Sequence, residues 1–202
     1  MRPDAKLPDL DAIVFDLGNV LLDYHPLQTL RAHYPEAVAQ RLHAAMFQSP
    51  QWVEMDRGVL TQAEVLARIL ADAPDIAPYG EAAMALQTEM ITPNAPALAW
   101  LPRLKSAGYR LYALSNFGAQ SFARVQARYP VFGDFDGLVI SGRELVVKPA
   151  PHIYRALLSR YGLTPARALF FDDIPANVQG ALDVGMQARL YTGPNDLAGL
   201  LA

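Results

Sequence analysis

Short apolar runs recur along the chain, each stopping at a polar or turn residue: AIVFD (12–16), YRLYALS (109–115), FDGLVI (135–140), ALFFD (168–172) and MQARLY (186–191). Runs of this length without polar alternation predict five buried strands rather than the strands of a half-solvated sheet. Between the later runs the period lengthens. Phe122, Val125 and Tyr129 follow Ser115 at helical spacing, Ile153, Ala156, Leu157 and Tyr161 follow Pro149, and Val178, Ala181 and Leu182 follow Pro175. Strand–helix alternation of this kind predicts an α/β fold with a parallel sheet covered on both faces.

Residues 24–92 break the rhythm and contain only helical patterns. Leu27, Leu30, Tyr34, Val38, Leu42 and Met46 form one apolar stripe, with Pro35 expected to interrupt it. Thr61 and Glu64 have the spacing of a capping box and open a helix carrying Val65, Leu66, Ile69 and Leu70. The stretch DAPDIAPYG (72–80) reads as turns before a helix through Ala83, Leu86 and Met90. The organisation predicted is a core from 1–23 and 93–202, with an all-helical insertion at 24–92. Pro102 predicts a kink or a late helix start in the next element.

Composition narrows the class. The chain has 202 residues, 52% of them hydrophobic, enough for a sizeable core. Its 17 Lys and Arg against 20 Asp and Glu give a net charge of −3 without a basic block, which argues against a nucleic-acid partner. With no cysteine, disulfides and thiolate metal sites are excluded. The N-terminal MRPDAKLPDLDA lacks a signal peptide's apolar stretch, and no apolar run reaches membrane-spanning length. The expectation is a soluble, cytoplasmic protein with no membrane partner.

Ligands of open parallel sheets bind beyond the carboxyl ends of the strands. The polar residues there are Asp16, Ser115 with Asn116, and Asp172 with Asp173, and Lys148 follows the third run before a proline. Singly, each has a structural explanation as a cap, a turn residue or a solvated lysine. Adjacent acids beside a third at one sheet edge repel and resist ionisation unless a cation neutralises them. An all-oxygen donor set is the kind magnesium selects.

The ordered segments FDLGNV, LSN, KP and FFDDIPAN resemble the four motifs of the haloacid dehalogenase superfamily. The likeness spans nearly the whole chain and is strongest to a branch with Asp-Leu-Gly-Asn in its first motif, which includes sugar-1-phosphate phosphatases. SGRELVVKPAPHIY and DRGVLT also look like segments of that branch. The resemblance implies a Rossmann-like core, a five-stranded parallel sheet flanked by helices, with residues 24–92 as an inserted helical cap. It implies a magnesium-dependent phosphatase of a small phosphorylated metabolite, a sugar phosphate favoured, acting as a monomer or homodimer. Asp16 would be the nucleophile, forming an aspartyl-phosphate. Ser115 and Asn116 would hold phosphoryl oxygens, and Lys148 would neutralise charge. Asp172, or Asp173, would hold the metal with Asp16 and the Gly18 carbonyl, and Asn177 would fix the Asp172 loop.

The chain departs from the family pattern at Gly18, where most phosphatases of the superfamily carry an aspartate that protonates the leaving oxygen. General acid–base help is worth about 10²–10⁴ in rate, so its loss must be met by a good leaving group, by an acid from elsewhere, or by different chemistry. His25 and Asp23 are the replacement acids nearest in sequence. Trp52, Asp56, Arg57 and Gly58 lie in a loop able to reach the site, with Arg57 a candidate substrate contact. His33 and His43 read as solvent-exposed and His152 as incidental. Two alternatives stand beside the phosphatase. Dehalogenases of the superfamily also lack the second aspartate, but they need no magnesium and their fourth motif is not an acid pair. A non-catalytic binding scaffold is the other.

Overall fold

A computed structural model of the protein describes residues 6–201; residues 1–5 and 202, at the outer ends of the predicted core, lie outside the described residues. In chain order the first strand and ribbon strand are β1 (Ala12–Phe15) and β2 (Leu22–Tyr24). Helices α1 (Pro26–His33), α2 (Glu36–Leu42), α3 (Pro50–Arg57), α4 (Gln62–Asp72) and α5 (Ala77–Ala85) follow. The chain then forms β3 (Ile91–Pro93), α6 (Ala95–Leu98), α7 (Leu101–Ser106), β4 (Arg110–Ser115), α8 (Ala119–Arg128), β5 (Gly137–Ile140) and α9 (Ser141–Glu144). It ends with α10 (Pro151–Arg160), β6 (Ala168–Asp172), α11 (Pro175–Asp183) and β7 (Gln187–Leu190).

All five predicted strands join one parallel sheet, in the order β5-β4-β1-β6-β7. Alternate side chains leave a strand on opposite faces, and the core divides accordingly. Ile13, Phe15, Leu111, Ala113, Leu169 and Phe171 pack in one cluster, Val14, Tyr112, Leu114 and Phe170 in another. β1 and β6 are buried at every position, which explains their unbroken apolar runs. β7 is different. Among the described residues it lies at the sheet edge with one strand neighbour, so Leu190 is 43% exposed although the sequence predicts a buried strand. Leu182, expected in the core, sits on the outer side of α11, also 43% exposed.

Between β2 and β3 the helices enclose a third cluster, built on Leu30, Leu42, Met46, Val65 and Ile69. Pro35 separates α1 from α2, as its missing N–H and fixed φ require. The capping box at α4 forms: Glu64 N–H donates to Thr61 Oγ1 at 3.3 Å, and Thr61 N–H to Glu64 Oε2 at 2.8 Å. Pro102 sits in the first turn of α7, the late start expected of it. Two expectations need correction. Residues 77–80 are the first turn of α5 rather than loop, because Pro78 falls where a helix has no N–H to lose. The stretch from Tyr24 to Thr92 is not purely helical at its ends. β2 and β3 form an antiparallel ribbon pairing Leu22 with Pro93, Asp23 with Thr92 and Tyr24 with Ile91. Three residues a side are too few for a period to register. Among the described residues, no helix is long and apolar enough to cross a membrane.

Candidate active site

The strand order reverses direction at β1, whose neighbours β4 and β6 lead to opposite halves of the sheet. The carboxyl ends of these three strands therefore border the crevice where ligands of such sheets bind. Asp16 directly follows β1, Ser115 ends β4 and Asp172 ends β6. One oxygen from each of Asp16, Asp172 and Asp173 lies within 4.8 Å of the others. Lys148, whose side chain is fully buried, is 2.9 Å from Asp16 Oδ1 and 2.6 Å from Asp172 Oδ2. The lysine thus spans two acids of the cluster.

The surrounding bonds sort the acids. Asp172 is fully buried, and its two oxygens accept from Lys148, from both Asn177 Nδ2 contacts at 3.1 Å, and from Ile174 N–H at 2.8 Å. Asn177 therefore grips Asp172. Asp173 is half-buried, borders the cavity and accepts from Asn19 Nδ2 at 3.2 Å. Asn19 was not singled out in the sequence. Its φ of 55° places it in the left-handed region, which Asn tolerates better than most residues, and Asn in a Gly-Asn pair is the signal that could have found it. Asp16 Oδ1 takes both Lys148 and the Leu17 N–H, at 2.7 Å, leaving Oδ2 without a hydrogen bond to any described residue.

The electrostatics call for a cation. Burial pushes the Asp172 carboxyl up to about 6, and Asp16 adds to the rise while Lys148 opposes it. Burial also raises Asp173, partly offset by Asn19. Three acids facing one lysine leave a carboxylate excess that a hard divalent cation would relieve. The donor set fits magnesium, with Asp16 and Asp173 at the cavity wall and Asp172 behind them. Gly18 also borders the cavity.

Other predicted residues are placed differently. Asn116, expected on the phosphoryl group, borders the cavity and also bonds to Lys148: its Oδ1 accepts Lys148 N–H at 2.7 Å and its Nδ2 donates to Lys148 O at 3.1 Å. It holds the lysine's backbone. Arg57 pairs with Glu54 at 3.3 Å and is absent from the cavity wall. His25 is exposed at the start of α1, and Asp23 accepts from Asn94 Nδ2 at 2.9 Å; neither borders the cavity. His33 is exposed as expected, whereas His43 is half-buried against the Phe47 ring.

The cavity itself has a volume of about 300 Å³. Its floor is Asp16, Ser115, Lys148 and Asp173, and its upper wall includes Leu22, Tyr24, Trp52, Met55, Ile91 and Val125. The helices close it through the end of α3. Asp56 Oδ1 accepts Gly118 N–H at 3.1 Å, and the Asp56 carbonyl accepts the Ser141 hydroxyl. Gly58, with φ of 84°, approaches Gly142 so closely that a Cβ would lie 2.5 Å from its carbonyl oxygen. Gln87 and Ser121, joined at 2.8 Å, are further polar lining groups that carry no motif of their own.

The chain matches the family model of haloacid dehalogenase-like hydrolases over residues 10–185, and so it belongs to that hydrolase family. It is 25% identical over 177 residues to a sesquiterpene phosphatase of Aspergillus oryzae, covering 87% of this chain and 86% of that protein. Two mouse relatives are longer, and the chain spans only 19% and 29% of their lengths. A solved dehalogenase shares the fold at a TM-score of 0.76 and 22% identity, over 97% of this chain and 99% of that one. So does a family enzyme of Bacteroides thetaiotaomicron in complex with magnesium and inorganic phosphate, at a TM-score of 0.71 and 20% identity, over 90% and 93%.

Proposed function

We propose that the protein is a magnesium-dependent phosphatase of a small phosphate monoester, with residues 24–92 acting as a cap over a core formed by 1–23 and 93–202. The observation that carries this reading is the convergence of Asp16, Asp172 and Asp173 on a buried lysine at the carboxyl edge of the sheet. Asp16 is the nucleophile: a carboxylate oxygen without a protein hydrogen bond is ready to attack phosphorus and form an aspartyl-phosphate. Lys148, held by Asn116, keeps Asp16 oriented and offsets charge on the phosphoryl group. Ser115 borders the same space and supplies a hydroxyl to a phosphoryl oxygen. A magnesium ion held by Asp16, Asp173 and the Gly18 carbonyl, with Asp172 beside them, would neutralise the acids and polarise the phosphoryl oxygens. The cap excludes water from that step.

The largely apolar upper wall supports an organic alcohol with few hydroxyls as the leaving portion, rather than the sugar the motifs suggested. A similar protein named as a sesquiterpene phosphatase supports the same direction. The dehalogenase alternative shares Asp16 but gives no reason for three converging acids, and the intact nucleophile and lysine speak against a scaffold. The test is phosphate and halide release from a panel of prenyl, alkyl, aryl and sugar phosphates and 2-haloacids. Wild type should release phosphate, and Asp16→Asn or EDTA should each lower the rate by at least about 10³-fold, the scale of losing a nucleophile or its charge stabilisation. Phosphate release surviving both overturns the mechanism, and metal-independent halide release favours the dehalogenase.

A further inference from the structure

Gly18 leaves the first motif without a second acid, and neither His25 nor Asp23 borders the cavity. The acid that does border it from above is Asp56, on the last turn of α3. It is held there from both sides. Its Oδ1 accepts Gly118 N–H, just beyond Ser115 and Asn116, while its carbonyl accepts Ser141. No side-chain cation bonds to it among the described residues. The charged side chains nearest on α3 and α9 are committed elsewhere: Arg57 to Glu54, Glu144 to Arg160, and Arg143 over the Phe122 ring. A second lining residue, Tyr24, carries a buried hydroxyl with no hydrogen-bond partner, and Asp56 acts on it electrostatically. Two polar groups, one acid and one unsatisfied hydroxyl, thus share a wall whose other polar lining groups, Gln87 and Ser121, bond to each other. Buried unsatisfied groups call for a partner, and an alcohol oxygen in the cavity is one.

We propose that the Asp56 carboxyl is the proton donor to the leaving oxygen, doing from the cap what Gly18 cannot do from the core. This rests on the phosphatase reading above. As Asp16 forms its bond to phosphorus, the bond from phosphorus to the ester oxygen breaks, and the electron pair stays on that oxygen. The Asp56 proton moves onto it, releasing an alcohol and leaving a carboxylate. In the second half, water adds to phosphorus, its proton returns to Asp56, and the bond to Asp16 breaks to free phosphate. Burial pushes the Asp56 carboxyl up to about 7, with the Gly118 N–H acting against the rise, so the group can carry a proton near neutral pH.

The test compares an aryl phosphate, whose phenolate leaves without a proton, with an alkyl phosphate, whose alkoxide does not. Asp56→Asn keeps the acceptor for Gly118 N–H and so keeps the docking contact; thermal melting checks this. The expected result is a fall in kcat of about 10²–10⁴-fold on the alkyl ester and less than about 10-fold on the aryl ester. Asp56→Glu should recover part of the alkyl activity. An equal fall on both esters, or no fall on either, overturns the proposal, since a merely structural role does not discriminate leaving groups. If wild type releases phosphate from neither ester, the phosphatase reading fails and takes the proposal with it. Activity abolished by Asp16→Asn but indifferent to Asp56→Asn sinks only the proton donor.

Discussion

At the scale of single residues, Gly18 is the position at which this chain can be questioned most directly. A Cβ built there meets nothing within 4 Å, so a side chain can start from that position without displacing its neighbours. Gly18→Asp in the Asp56→Asn background should therefore restore at least about 10-fold of the lost alkyl phosphate activity, read as kcat. A failure to rescue would mean that the loss in Asp56→Asn was not the loss of a proton donor. The residues that converge were largely legible in the sequence, because Asp16, Ser115, Asp172 and Asp173 each end an apolar run, and strand ends meet at one edge of a parallel sheet. The bonds of Asn116 to the Lys148 backbone were not legible, since a side chain at a strand end can face the substrate or the next loop. The sequence pattern places Trp52, Asp56 and Arg57 in a loop, whereas all three belong to α3, which Pro50 opens at a position with no N–H to lose. The importance of Asp56 depends on contacts with Gly118 and Ser141, far away in the chain, which no local pattern encodes.

At the scale of elements, the joint between α3 and the loops after β4 and β5 decides whether Asp56 stands over the site. Gly58 makes that joint possible twice over, through its positive φ and its approach to Gly142. Gly58→Ala should cost roughly 1–3 kcal/mol of stability in urea melts and lower kcat/KM by driving the joint apart. Gly162→Ala is the control, since that position also has positive φ (59°) but open space around it, and it should lose stability with little effect on kcat/KM. Strands and most helices were readable because their periods are set by burial on one or two faces. The ribbon of β2 and β3 and the edge character of β7 were not. Both depend on which strand lies beside which, and topology is not written in the period of any one strand.

At the scale of the whole molecule, the raised carboxyl of Asp56 makes stability depend on pH in a defined direction. An acid whose folded value is about 7 against an ordinary 3.8 binds more protons folded than unfolded between those values. Stability therefore falls as pH rises through that window. In EDTA, wild type should lose on the order of 1–3 kcal/mol relative to Asp56→Asn between pH 5 and pH 8, measured by urea unfolding. Asp11 works the other way, its carboxyl held well below the usual range by Arg167 and Lys6, but that contribution is lost only in stronger acid and does not enter the comparison. The β2–β3 ribbon has a different kind of consequence. β1 must find β4 across the whole of the inserted helices, with Ala12 beside Arg110. Once Tyr24 pairs with Ile91, the two ends of that long excursion are fixed side by side, and the sheet sees it as a single tight bend. The chain entropy of closing the β1–β4 loop is then set by the short segments flanking the ribbon rather than by the insertion, whose length can change at little expense to core assembly.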